Sequence, residues 1–152
     1  MKFDLASVPR APLWLGLSGA LPFAGGVMTY ASGGIGPVSA PFALQSTLAY
    51  GAVILSFLAG IRWGLGLLLA DAARRDARLS VSVVPSLLGW VALLLPAFPG
   101  LVLLAMAFAA QGAWDAGDAT RDGAPDWYPT LRILLTAIVC SLLTVLAVLT
   151  IV

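Results

Sequence analysis

Long apolar runs separated by short punctuated gaps organise this chain. No charged residue occurs between residues 11 and 61. That stretch is long enough for two membrane crossings, since a bilayer core of about 30 Å needs roughly 20 helical residues. Inside it, ASGGIGP at residues 31–37 concentrates glycine and proline and predicts a turn. The first span is therefore predicted at residues 12–30 and the second at 41–69. Pro12 and Pro41 suit first-turn positions, where no helical donor is lost. The stretch DAARRDAR at residues 71–78 reads as a charged loop. A third span follows at 79–95, a tight turn PAFPG at 96–100, and a fourth span at 101–114. A polar loop with four aspartates and one arginine covers 115–129, and a fifth span takes 130–152. The fold class is thus an all-α integral membrane bundle of five helices in a single domain over residues 1–152. Spans three and four are short and joined by five residues, which predicts an antiparallel hairpin that need not reach full membrane depth.

Charge sharpens this layout. With five spans, all eight basic residues fall on one side. Lys2 and Arg10 precede span one; Arg62, Arg74, Arg75 and Arg78 lie around the end of span two; Arg121 and Arg132 lie between spans four and five. By the positive-inside rule the amino terminus is expected in the cytoplasm and the carboxyl terminus in the periplasm, the chain being multi-pass in a bacterial inner membrane. A cysteine placed at Ser32 should then react with an impermeant thiol reagent from the periplasmic side, and one at Thr120 should not. The reverse labelling would contradict the charge argument. Ser18, Gly19 and Ala20 loosely imitate a signal-peptide cleavage site, but Pro22 follows and the apolar stretch continues to Met28, so an uncleaved first span is expected.

Composition agrees and narrows the chemistry. The chain is 61% hydrophobic and 10% charged, with mean hydropathy +1.01; a soluble domain carries about 25% charged residues. The net charge of +1 offers no basic patch for nucleic acid. Histidine is absent, Lys2 is the one lysine and Cys140 the one cysteine, so histidine catalysis, histidine-ligated metals, a Schiff-base lysine and an intrachain disulfide are excluded. The stretch from Asp118 to Gly123 imitates the start of a calcium loop, yet its twelfth position is Pro129 rather than a bidentate glutamate. The glycines at 33, 34 and 36 lack the lysine and hydroxyl residue of a phosphate loop. Neither an enzyme nor a cofactor is expected.

Few residues stand out as candidates. Arg62 could snorkel to the interface, pair with Asp115 or Asp126, or contact a ligand or headgroup; a charge at mid-bilayer costs roughly 2.5–3.5 kcal/mol and so tends to mark function. Trp14, Trp63, Trp114, Trp127 and Tyr128 all fall near the charged face, as an interfacial aromatic belt would. Trp90 sits mid-span instead. Ala49, Ser56, Gly60 and Gly64 form a small-residue face on span two, including the GxxxG match GIRWG, which suits helix packing within the chain or against a partner protein. Arg62 lies about 200° around the helix from Gly60, so span two is expected to have neighbours on opposite sides. A break is expected near Pro85, where Ser82, Ser86 and Gln111 are the available polar groups. With Gln45 and Tyr50 they are too sparse to line an ion pathway.

Three motifs occur together: YGAVILSFLAGIRWG at 50–64, SVVPSLLGW at 82–90 and DWYPTLR at 126–132. The chain, from Pro12 to Ile151, resembles a family of small five-span proteobacterial membrane proteins grouped as a domain of unknown function, with mitochondrial relatives named as transmembrane proteins. The resemblance implies no catalytic residue. Its mitochondrial side implies an energy-transducing membrane. The leading expectation is a non-catalytic accessory or assembly subunit of a larger membrane complex, with membrane lipid and other integral membrane proteins as partners. A small transporter or channel using Arg62 is one alternative. A lipid or quinone bound between helices near Trp90 is another.

Overall fold

A computed structural model describes residues 4–118 and 124–152. Lys2, Thr120, Arg121 and the body of the calcium-loop-like stretch lie outside the described residues. A short 3₁₀ turn at Leu5–Ser7 leads into α1 (Arg10–Ala31), then a two-stranded hairpin of β1 (Gly34–Ile35) and β2 (Val38–Ser39). Helices α2 (Ala40–Leu67), α3 (Ala72–Ser82), α4 (Val84–Leu94), α5 (Ala97–Asp118) and α6 (Tyr128–Leu149) complete the chain. Five helical segments are long and apolar enough to cross a membrane, with α3 and α4 together forming one of them, Ala72–Leu94.

The gap at 31–37 behaves as its composition dictates. Gly33 and Gly36 adopt φ of 75° and 56°, a region costly for residues with a Cβ. That lets the chain reverse tightly, with Gly34 opposite Ser39 and Ile35 opposite Val38. Ser39 then caps α2, its hydroxyl accepting from the Phe42 amide at 3.4 Å.

Three boundaries depart from the sequence reading. Residues 71–78 are helical, not a loop: the Asp71 carboxylate accepts from the Arg74 amide at 2.8 Å, and alanine and arginine are strong helix formers. Charge argues for water, not against helix. The chain leaves the helix on both sides of this segment, at residues 68–71 and again at Val83, the second near Pro85 as the sequence predicts. The turn after α4 is also tighter than five residues. Gly100 donates its amide to the Pro96 carbonyl at 2.9 Å, so Pro99 lies within the first turn of α5, where it removes no internal bond. Helix α5 consequently has 22 residues, about 33 Å at 1.5 Å per residue, and is not the short half of a shallow hairpin.

The helices form a ring in which α1 touches α2, α2 touches α4, α4 touches α5, α5 touches α6 and α6 returns to α1. Helix α2 also meets α5 across the middle and α3 at its end. The core is Phe23, Leu55, Leu101, Leu104, Leu143 and Leu146, each under 2% exposed. Phe23 sits edge-on to both Tyr50 and Phe108, with ring centroids 5.1 and 6.0 Å apart, a favoured aromatic geometry. The Tyr50 hydroxyl donates to the Gly19 carbonyl at 3.0 Å, tying α2 to α1. Because lipid tails are as apolar as leucine, these contacts hold the bundle by shape and dispersion rather than by removal from water.

Candidate functional site

Three inward stripes meet at one end of this ring. On α2 the buried residues Leu48, Leu55, Ala59, Arg62 and Gly66 recur at helical spacing. On α5 the stripe is Leu101, Leu104, Phe108, Gln111 and Asp115, and on α6 it is Arg132, Val139, Leu143 and Leu146. Each stripe is apolar along the middle of the bundle and ends in charge at the same end, where α2 and α5 finish and α6 begins.

The three ends close on one another. Asp115 Oδ1 lies 2.8 Å from Arg62 Nε, and Asp115 Oδ2 accepts from Arg132 Nε at 2.8 Å. Gln111, one turn before Asp115, adds its amide to Oδ1 at 3.1 Å. The side chains of Arg62, Asp115 and Arg132 are 4%, 2% and 7% exposed. Two guanidiniums thus share this one buried carboxylate. The Trp114 ring lies beneath the Arg62 guanidinium at 4.0 Å, and Arg78 approaches the same ring at 5.9 Å, both within cation–π range. One carboxylate thus bridges α2 and α6 through α5. Such a node can fix the relative positions of three helices and can present cationic hydrogen-bond donors.

Of the candidates in the sequence, Arg62 and Asp115 come together, so Arg62 is neither snorkelling nor paired with Asp126, which is exposed. Trp63 is 43% exposed on the outer surface of α2, as an interfacial residue would be. Trp114 is half-buried and engaged by arginine, not simply part of a belt. Trp127 and Tyr128 are half-buried and meet edge to face, ring centroids 6.3 Å apart. Trp90 is 58% exposed and faces away from the bundle, so it forms no interhelical site.

The small-residue face needs correction. Ala49 is half-buried, but Ser56, Gly60 and Gly64 are exposed, and among the described residues nothing beyond the helix's own backbone and the adjoining residues lies within 4 Å of where a Cβ would stand at Gly60 or Gly64. That face does not pack the chain's own helices. The close approaches occur elsewhere: Gly89 of α4 abuts the Ala52 backbone, and a Cβ at Gly112 of α5 would overlap Thr136 of α6.

Arg132 was missed as a site residue because an arginine beside a loop satisfies the positive-inside pattern without further explanation. Its signal lay in spacing: it shares an α6 face with Val139, Leu143 and Leu146.

A family model described as protein of unknown function (DUF3429) matches residues 8–148. Transmembrane protein 69 of Xenopus tropicalis is 34% identical over 155 residues, covering 91% of this chain and 55% of that protein. Transmembrane protein 69 of Mus musculus is 28% identical over 135 residues, covering 88% of this chain and 54% of that protein. The chain therefore spans about half the length of these curated relatives. No solved structure matches.

Proposed function

The chain belongs to the DUF3429 family of proteins of unknown function, and from that premise we propose that it is a non-catalytic accessory or assembly subunit of a larger complex in an energy-transducing bacterial inner membrane. One observation carries this reading. Helix α2 uses the Arg62 face to hold its own bundle and leaves Ser56, Gly60 and Gly64 bare on the outside. Small residues at helical spacing let a second backbone approach closely, which is how helices associate where lipid removes the hydrophobic drive. The exposed Phe57 and Trp63 beside this strip add large side chains for a partner to grip. The pairing of Arg62 with Asp115 weighs against the transporter reading, because the charge that would attract an anion already has a carboxylate on it.

The double substitution Gly60→Leu and Gly64→Leu tests the reading without attacking the fold. Among the described residues neither new Cβ meets an atom of another element, and leucine is a better helix former than glycine by roughly 1 kcal/mol per site. Thermal stability should be unchanged or slightly raised. Purified from native membranes in mild detergent, the unaltered chain should bring stoichiometric integral membrane proteins with it, and the double variant should lose them. Equal recovery with both chains, or recovery of the unaltered chain alone, would contradict the proposal.

A further inference from the structure

The corner between α2 and α3 exposes apolar and basic groups side by side. Helix α2 closes tightly, the Leu68 amide donating to the Leu65 carbonyl and the Leu69 amide to the Gly66 carbonyl, each at 3.2 Å. Helix α3 begins at Ala72. Leu67 and Leu68 stand 55% and 81% exposed on this corner, with the exposed Trp63 one turn back on α2. In the first turn of α3, Arg74 is exposed and the Arg75 side chain is 38% exposed. The nearby acids do not occupy these two arginines. The Asp71 carboxylate is turned to the Arg74 backbone amide, which it caps at 2.8 Å. Asp76 comes only to 3.8 Å from Arg75 and is itself 76% exposed, an arrangement worth little. Among the described residues no other acid pairs with Arg75, and none pairs with the Arg74 guanidinium.

The depth of the corner decides what it meets. Arg62 stands level with Asp115, 2.8 Å away, and Asp115 is close to the end of α5 at Asp118. Helix α5 is about 33 Å long against a bilayer core of about 30 Å, so its end marks the headgroup layer. Leu67 and Leu68 follow Arg62 by five and six residues, about 8–9 Å further along α2, and so stand in that layer with the arginines of α3 beside them. Leucines left in water there would forfeit their transfer free energy. Folded onto the leaflet they regain it, and the guanidiniums reach phosphate. Apolar side chains beside arginine are the composition of a segment that lies on a membrane surface. We propose that the α2–α3 corner binds anionic phospholipid of the adjoining leaflet, its phosphate accepting from Arg74 and Arg75 while Leu67 and Leu68 enter the acyl boundary. The purified chain alone tests this, so the proposal does not depend on a partner at Gly60 and Gly64.

The test uses the full chain, purified in mild detergent, stripped of lipid and titrated separately with phosphatidylglycerol and phosphatidylcholine under native mass spectrometry. The unaltered chain should bind phosphatidylglycerol more tightly. Arg74→Gln and Arg75→Gln should each weaken that binding about fivefold, the weight of one basic residue at an anionic surface, and leave phosphatidylcholine binding nearly unchanged. A second measurement keeps the native arginines. A nitroxide on Leu68→Cys, in a Cys140→Ala chain reconstituted into phosphatidylglycerol nanodiscs, should be relaxed by oxygen and shielded from a water-soluble nickel complex. In phosphatidylcholine nanodiscs the same label should sit nearer the water. Relaxation by the nickel complex in phosphatidylglycerol would put the corner in water and overturn the proposal. Equal depth in the two lipids, or phosphatidylglycerol binding untouched by both arginine variants, would overturn it as well.

Discussion

Asp115→Asn is expected to destabilise the fold by ~3–5 kcal/mol, the usual consequence of removing one partner from a buried ion pair. The expected size follows from what remains. Arg62 and Arg132 are both nearly inaccessible, and each has its Nε 2.8 Å from an oxygen of the same carboxylate. Without that charge, two guanidiniums in a water-poor pocket lose the carboxylate that stands 2.8 Å from each Nε. Arg62→Met should cost clearly less, because Asp115 keeps its bonds from Arg132 and Gln111. Thermal or denaturant unfolding in detergent would measure both. Were the arginines instead solvated at the headgroups, Asp115→Asn would cost under about 1 kcal/mol, as exposed pairs do.

The same chemical change at two glycines should give opposite results. At Gly89 a Cβ would lie 3.1 Å from the Ala52 Cα and 3.3 Å from the Ala52 carbonyl oxygen. Both are backbone atoms and cannot swing aside. Gly89→Leu must therefore push α4 off α2, with a cost of about 1–3 kcal/mol or more, the range for overpacked interiors. At Gly60 a Cβ meets no other element among the described residues, so Gly60→Leu should be neutral or stabilising. Melting temperatures of the two variants, measured side by side, check this; comparable losses would mean that Gly60 also faces the bundle's interior.

That contrast marks where the sequence could be read and where it could not. Five apolar spans, the glycine turn at 33–36 and the break before Pro85 all follow from composition and local backbone rules, and the structure has them. The helical state of residues 71–78 is also legible, from Asp71 as a cap and the alanines and arginines after it, although their clustered charge reads first as a loop. The inward faces were harder. In water a helix announces its buried side by a polar opposite side; in a bilayer both sides are apolar, so the stripe ending in Gly60 and Gly64 and the stripe ending in Arg62 look alike by hydropathy. Arg62 itself held the answer, since a charge within a span faces the bundle interior. Following its helical spacing back gives Ala59, Leu55 and Leu48, which are the buried residues. The pairing with Asp115 was among the readings of Arg62. The part of Arg132 in it was not, because that needs three helices, distant in sequence, to be brought to one point.

The most direct test of the account is a photo-crosslinking residue at Gly60 in native membranes, compared with the same residue at Val145, which is exposed on α6. The account predicts that position 60 yields a discrete adduct with one integral membrane protein while position 145 yields lipid adducts. Lipid adducts alone at both positions would contradict it, leaving a self-contained bundle whose bare α2 face meets only the bilayer.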